Sequence, residues 1–291
     1  MYVNNYRLQT NLFFENNGDG TFTEKAGPLG LAGTRHGSYY GHSIGVAWGD
    51  LNNDGRFDVV VGNLAHPRFY GISDKTEVLL HGLTDTYHDL SGDWSRPASA
   101  AGLRYQETHS VPALADFDQD GNLDLVITAV YDGRPTDFYW GNGDGTFRLD
   151  AYHAGITTTN GWGVAVADID HDGDLDLFAT TLFVNDLPAA RKGHWLQVRA
   201  VGNVAANRAA LGATVRVTAG GVTRLRHVEG GTGQGCQDSL YLHFGLGSAT
   251  SVEAVNVVFP GGKLVSYAGP FTVDQRLWVF EDGSTHLGWA P

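Results

Sequence analysis

Twelve aspartates fall in three short stretches of this chain, at a spacing that suits a hard metal ion. The first stretch offers Asp50, Asn52, Asp54, Arg56 and Asp58; the second Asp116, Asp118, Asp120, Asn122 and Asp124; the third Asp168, Asp170, Asp172, Asp174 and Asp176. The shared pattern places side-chain oxygens at positions 1, 3, 5 and 9, a glycine at position 6 (Gly55, Gly121, Gly173), and a free choice of residue at position 7. Calcium takes six to eight oxygens at about 2.3–2.6 Å, and a tight loop can wrap alternate residues around one such ion. Position 7 is expected to give only its backbone carbonyl, which explains why arginine, asparagine and aspartate alternate there. No histidine or cysteine stands at a ligand position, which argues against zinc and copper, and magnesium demands a stricter octahedron. Position 12 carries Val61, Ile127 and Ala179 rather than glutamate, so the helix-flanked calcium loop does not apply. Four carboxylates around one point repel without a cation. The expectation is about three calcium ions per chain, each a folding ligand.

The wider charge balance agrees. The chain carries 19 basic and 32 acidic residues, a net charge of −13, and three divalent ions would cancel about half of it. A duplex-binding face needs clustered basic residues, and none is visible, so no nucleic acid is expected. Cys236 is the only cysteine, which excludes an intrachain disulfide. No apolar run approaches the ~18 residues of a membrane span, and no signal peptide is recognisable at the polar start of the chain.

The elements that would hold the loops come from a repeat. Each loop follows a short apolar strand (residues 44–48, 111–115, 164–167) and precedes another (59–61, 125–128, 177–179). A second element alternates with it: Asn-Gly-Asp-Gly-Thr-Phe at 17–22 and again at 142–147, with a degenerate copy over 78–87. Asn-Gly and Asp-Gly supply the positive φ of tight hairpins, so Asp19 and Asp144 read as turn residues. Each unit therefore reads as hairpin, strand, loop, strand: four strands in 52–66 residues, the content of a propeller blade. About three four-stranded blades are expected over residues 1–187. Beyond the linker at 188–193 the aspartate loops stop, and seven strand-like runs with Gly220-Gly221 and Gly261-Gly262 turns suggest a small β-sandwich-like domain over 188–291. The fold class is all-β: a partial or oligomer-completed β-propeller followed by that domain. Three blades do not close a ring of ~4–8. In order of preference, the chain is the end of a longer protein, a homo-oligomer completes the propeller, or the second domain caps the open edge.

Together the two motifs resemble the FG-GAP/VCBS repeat of integrin α-chain-like propellers. Residues 194–198, Asn207 and Arg208, 211–213, 242–247, 260–262, and Asp274 with Gln275 resemble the ASPIC/UnbV domain of the cartilage acidic protein family. The resemblance covers about residues 8–282. It implies a secreted, calcium-binding propeller with an accessory β-domain and assigns no catalytic residues. The chain departs from it in having few repeats, and in segment 230–237, which lacks the usual aromatic and serine before Gln237.

Two functions follow as expectations. The first is a recognition or scaffold module binding a protein or glycan at the cell surface, outside the cell or in the periplasm, with His36, Tyr39, Tyr40, Phe69, Tyr70, Trp94 and Arg96 on its long inserts. The second is a calcium-stabilised enzyme (a cyclase, lyase or hydrolase). There His42 and His109, eight and seven residues ahead of Asp50 and Asp116, would meet at the channel mouth beside Glu107 and Tyr105 as general acid and base. The blander reading of each histidine is a satisfied strand-start residue. No nucleophile elbow, zinc-protease or phosphate-loop motif is present. Cys236 reads as a small buried residue rather than a nucleophile.

Overall fold

The structure is a computed structural model that describes residues 1–35, 37–64, 75–90, 100–106, 108–231, 233 and 235–289. His36, Phe69, Tyr70, Trp94, Arg96 and Glu107 lie outside the described residues.

Among the described residues the chain is all-β but for one turn of helix, α1 (Ala26–Leu29). Four antiparallel sheets come first. The opening sheet has three strands, β1 (Tyr2–Val3), β2 (Leu12–Asn16) and β3 (Phe22–Glu24). Two four-stranded meanders follow: β4 (Ser43–Gly49), β5 (Asp58–Asn63), β6 (Glu77–His81) and β7 (Tyr87–Asp89); then β8 (His109–Ala115), β9 (Asp124–Ala129), β10 (Asp137–Gly141) and β11 (Phe147–Leu149). The fourth sheet has three strands, β12 (Ala165–Ala167), β13 (Asp176–Ala179) and β14 (Thr181–Phe183). Sequential meanders of up to four strands, stacked face to face, are the arrangement of propeller blades.

The division between blades differs from the sequence expectation. A blade runs strand, loop, strand, hairpin, so each hairpin closes the sheet of the loop before it. The ninth loop aspartate accounts for this phase. Asp58 accepts a hydrogen bond from the His81 backbone N–H (2.8 Å), Asp124 from that of Gly141 (2.9 Å), and Asp176 from that of Asn185 (2.9 Å). Each loop is thereby tied forward to the next turn of its own sheet. Two complete blades therefore sit between two three-stranded sheets. The degenerate copy over 78–87 is a true hairpin, β6–β7.

Apolar layers fill the space between successive sheets. Phe13 and Tyr2 meet Val59, Val61 and Leu79. Val60 and Val78 meet Leu125, Ile127 and Tyr139. Val111, Val126 and Phe138 meet Val166, Leu175 and Leu177. Strands buried on both faces need an apolar centre, and Val59, Val60 and Val61 of β5 and Leu125, Val126 and Ile127 of β9 supply it.

The rest of the chain forms two facing four-stranded sheets. One has the order β18 (Leu242–Gly247), β15 (His194–Val201), β21 (Gln275–Phe280), β22 (Thr285–Leu287); the other β17 (Val222–His227), β16 (Thr214–Ala219), β19 (Ser251–Val258), β20 (Leu264–Thr272). β15 and β21 run parallel. One core joins the two sheets, with Leu196, Val198, Phe244 and Leu277 from the first and Val215, Val217, Val255 and Val257 from the second. The seventh expected run is followed by an eighth strand, β22, too short and polar to stand out in sequence.

Candidate metal sites

The three aspartate loops join the first two strands of successive sheets: β4–β5, β8–β9 and β12–β13. Their backbones are alike. Position 6 has positive φ in each (Gly55 +82°, Gly121 +97°, Gly173 +93°), and so does position 4 (Asn53 +56°, Gln119 +62°, His171 +70°). The left-handed position 4 had no glycine to announce it. Positions 1 and 9 are buried in every loop, whereas positions 3 and 5 lie on the open rim.

In the second loop Asp116, Asp118 and Asp120 bring one carboxylate oxygen each within 4.8 Å of the others, and in the third Asp168, Asp170 and Asp176 do the same. Asp116 Oδ2 accepts the Gly121 N–H (2.9 Å), while its Oδ1 is buried with no hydrogen-bond partner. Such an orphan acceptor is costly unless something positive meets it; the donor set fits a hard cation. Burial pushes the Asp116 carboxyl up to about 7, against the opposing pull of Arg226, with Asp120 and Asp118 adding to the rise. Burial likewise raises Asp58 to about 7 and raises Asp124 well above its ordinary value. Loops that hold their charge this poorly take either a proton or a cation.

The expected ligands are not all equally free. Asp58 and Asp124 have both oxygens engaged by backbone N–H groups, from Leu51 and His81 and from Phe117 and Gly141 respectively. Asp54 is paired with the Arg56 guanidinium at 2.6 Å and accepts from Asn52 Nδ2. Asp174 points away from its loop. It accepts from Gln119 Nε2 (2.8 Å) and the Leu187 N–H (2.9 Å) and pairs with Lys192 (2.9 Å). Its side chain is a brace, as a position that offers only a carbonyl allows. Asn122 bonds Asp120 and receives Asn53 Nδ2 (2.8 Å), which links the first loop to the second as Gln119 links the second to the third.

The sandwich covers all three loops. Arg216 reaches the Gly55 carbonyl (3.5 Å). A β-carbon on Gly121 would stand 2.2 Å from the Arg224 guanidinium, and one on Gly173 2.1 Å from the Trp195 indole. Gln197 donates to Asp168 (2.7 Å) and receives Arg276 (2.5 Å), and His243 Nε2 bonds the Gly173 carbonyl (2.9 Å). Asp50 and Asp116 both act on the buried Arg226 guanidinium, whose Nη2 has no hydrogen-bond partner. Sequence reasoning missed this layer. Its visible traces were the alternation of Arg224 and Arg226 on one face of β17 and the stretches 194–198 and 242–247, which hold Trp195, Gln197 and His243 but carried only a family resemblance.

The candidate acid–base residues sit apart from the loops. His109 is 1% exposed and held at both ring nitrogens, by Thr76 Oγ1 (2.7 Å) and Asp137 (3.0 Å). Asp137 also accepts from Arg104 Nε (2.7 Å), Gln106 (3.2 Å) and the Tyr139 hydroxyl (3.0 Å). That is a saturated core network. His42 is buried against the Tyr6 ring, 3.9 Å between centroids, and Tyr105 is 37% exposed. Asp19 and Asp144 accept the N–H groups of Thr21 and Thr146 (2.9 Å each), as turn residues do. Cys236 is buried, its Sγ accepting the Val164 N–H (3.2 Å).

Comparison with known proteins accords with this anatomy. Residues 1–61 and 116–179 match the FG-GAP-like repeat, and 203–286 match ASPIC and UnbV. Cartilage acidic protein 1 of Homo sapiens is 30% identical over 272 residues, which is 88% of this chain and 38% of that protein. Its Xenopus tropicalis counterpart is 28% identical over 270 residues, 87% of this chain and 38% of that protein. Integrin alpha-7 of Mus musculus is 32% identical over 112 residues, 35% of this chain and 8% of the integrin. The chain thus spans well under half the length of these relatives. It consists of FG-GAP-like repeats joined to an ASPIC/UnbV domain, and it is homologous to cartilage acidic protein 1 and to the FG-GAP regions of integrin α-chains.

Proposed function

We propose that this chain is a calcium-stabilised recognition module that works outside the cell or in the periplasm, with blades in residues 1–187 and an accessory β-domain in 188–291. One calcium ion sits in each loop. Asp50, Asn52 and Asp54, Asp116, Asp118 and Asp120, and Asp168, Asp170 and Asp172 supply side-chain oxygens; Arg56, Asn122 and Asp174 supply backbone carbonyls; Asp58, Asp124 and Asp176 close the loops. The observation that carries the reading is the convergence of Asp116, Asp118 and Asp120 around a buried Asp116 oxygen that no protein donor satisfies. The ions fix the loops against one another and against the sandwich, and the rigid blades present the inserts between strands to a partner. The partner is a protein or a glycan; the likeness to integrin α-chains favours a protein. No helix among the described residues is long and apolar enough to cross a membrane.

Isothermal titration of chelator-treated chain with calcium tests this directly. Three ions are expected, falling to one in the double variant Asp118→Ala, Asp170→Ala, which removes a ligating oxygen from the second and third loops. Absence of binding at millimolar calcium would sink the proposal.

A further inference from the structure

The blades and the sandwich enclose a cavity between them. Its floor is made by Trp48 of β4, Leu114 of β8 and Val166 of β12, the first strands of three successive sheets. Its roof is made by Arg226 and His227 of β17, His243 of β18, and Glu229 and Asp238 from the connection between those two strands. Asp116 of the second loop borders it. The lining runs from Trp48 to His243, away from both ends of the chain. The cavity has a volume of about 90 Å³, room for roughly six to nine waters or one small metabolite. Apolar walls with a few converging polar groups are the anatomy of a small-molecule site.

Two polar atoms of the roof lack a partner. Arg226 Nη2 has none, and Nη1 reaches only the Leu225 carbonyl (2.9 Å). Asp116 and Asp50 act on this guanidinium through charge alone. A guanidinium held away from water without a directly bonded anion is costly, and a carboxylate is the group its paired N–H donors match. His243 is 6% exposed and bonds the Gly173 carbonyl through Nε2 (2.9 Å). A carbonyl can only accept, so Nε2 carries the proton and Nδ1 is an acceptor, and Nδ1 is the second atom without a partner. Burial holds this ring down to about 4, so Nδ1 stays bare at neutral pH. The same cavity carries a negative charge. Glu229 meets His227 Nε2 (3.2 Å) and is hydrogen-bonded to Asp238, whose carboxyl is pushed up to about 7 by burial and by Glu229. Carboxyls in contact do not both ionise, so the pair bears one charge between them. One guanidinium, one carboxylate charge and one neutral acceptor therefore face a single small space.

We propose that this cavity binds a free, small α-amino acid, with its carboxylate on Arg226 and its ammonium on His243 Nδ1 and the Glu229–Asp238 pair. The site is separate from the inserts that would meet a macromolecular partner, and it draws on no calcium ligand for a contact. Isothermal titration of the whole chain in calcium tests it, with glycine and L-alanine as probes. At least one of the two should bind. The matching acid without the ammonium (acetate or propionate) and the matching amine without the carboxylate (methylamine or ethylamine) should each bind ~30-fold or more weakly. Arg226→Gln should weaken the amino acid by a similar factor with circular dichroism unchanged. Glu229→Gln, at a half-buried position, should do the same and serves where the arginine variant does not fold. Absence of binding by both amino acids at millimolar concentration overturns the proposal. So does propionate that binds as tightly as L-alanine, because the ammonium would then have no partner in the cavity. The calcium count, measured on the same samples, separates failure of the cavity from failure of the metal sites.

Discussion

Replacing Asp116 by asparagine should stabilise the chain without calcium and destabilise it in a large excess of calcium. The side chain is 1% exposed, and asparagine keeps its shape and its bond from the Gly121 N–H. In the metal-free protein, burial lifts the carboxyl from an ordinary 3.8 to about 7. The folded state therefore binds a proton that the unfolded state releases. A carboxyl raised in this way contributes stability below pH 4 that is lost as pH rises toward 7 and stays lost above it. At ~1.4 kcal/mol per pH unit, ionising it at pH 8 costs the metal-free fold about 4 kcal/mol, which asparagine avoids. One kcal/mol moves the melting temperature of a domain this size by roughly 2–4 °C, so the variant should melt about 8 °C or more above wild type in chelator at pH 8. The order should invert only when calcium exceeds its Kd by more than about a thousandfold. Wild type then gains more than ~4.1 kcal/mol per site, and the variant loses that gain at the second loop. Scanning calorimetry at pH 5 and pH 8, with chelator and with calcium, reads all four corners. A variant less stable than wild type in chelator at pH 8 would refute the reasoning, because the buried charge would then be no burden to the metal-free loop.

Two further substitutions probe the layer between the loops and the sandwich, and the histidine network. Gly55 and Gly173 share the same backbone, but only Gly173 faces a side chain of the sandwich, so Gly55→Ala should cost ~1 kcal/mol and Gly173→Ala ~2 kcal/mol more through the clash with Trp195; equal losses in urea denaturation would mean the sandwich yields there. Asp137→Ala strips the acceptor from Arg104, His109 and Tyr139 at once and should cost roughly 3–5 kcal/mol in the same assay, whereas a loss below ~1 kcal/mol would free His109 for a role other than packing.

The aspartate loops were legible in sequence because everything that defines them lies within nine residues. The oxygens alternate, the sixth residue is glycine at φ near +90°, and short apolar strands flank the whole. The same locality made the Asn-Gly-Asp-Gly hairpins and the all-β class readable. What lay beyond sequence involves partners far apart in the chain. The pairing of hairpin to loop depended on Asp58, Asp124 and Asp176 reaching backbone N–H groups 9 to 23 residues onward. His109 resembled a site residue until Thr76 and Asp137 closed on both its nitrogens. Trp195, Gln197 and His243 stood in stretches that carry the ASPIC/UnbV resemblance, and Arg224, Arg226 and Arg276 in none; neither group announced its contacts, because a side chain that caps a loop across a domain interface is constrained by shape and charge at that interface and not by its neighbours in sequence. The sequence by itself thus determined where a cation could bind. Only the tertiary structure decided which of those oxygens are already engaged, which remain without a donor, and what lies over them, since each depends on groups that folding alone brings within ~3 Å.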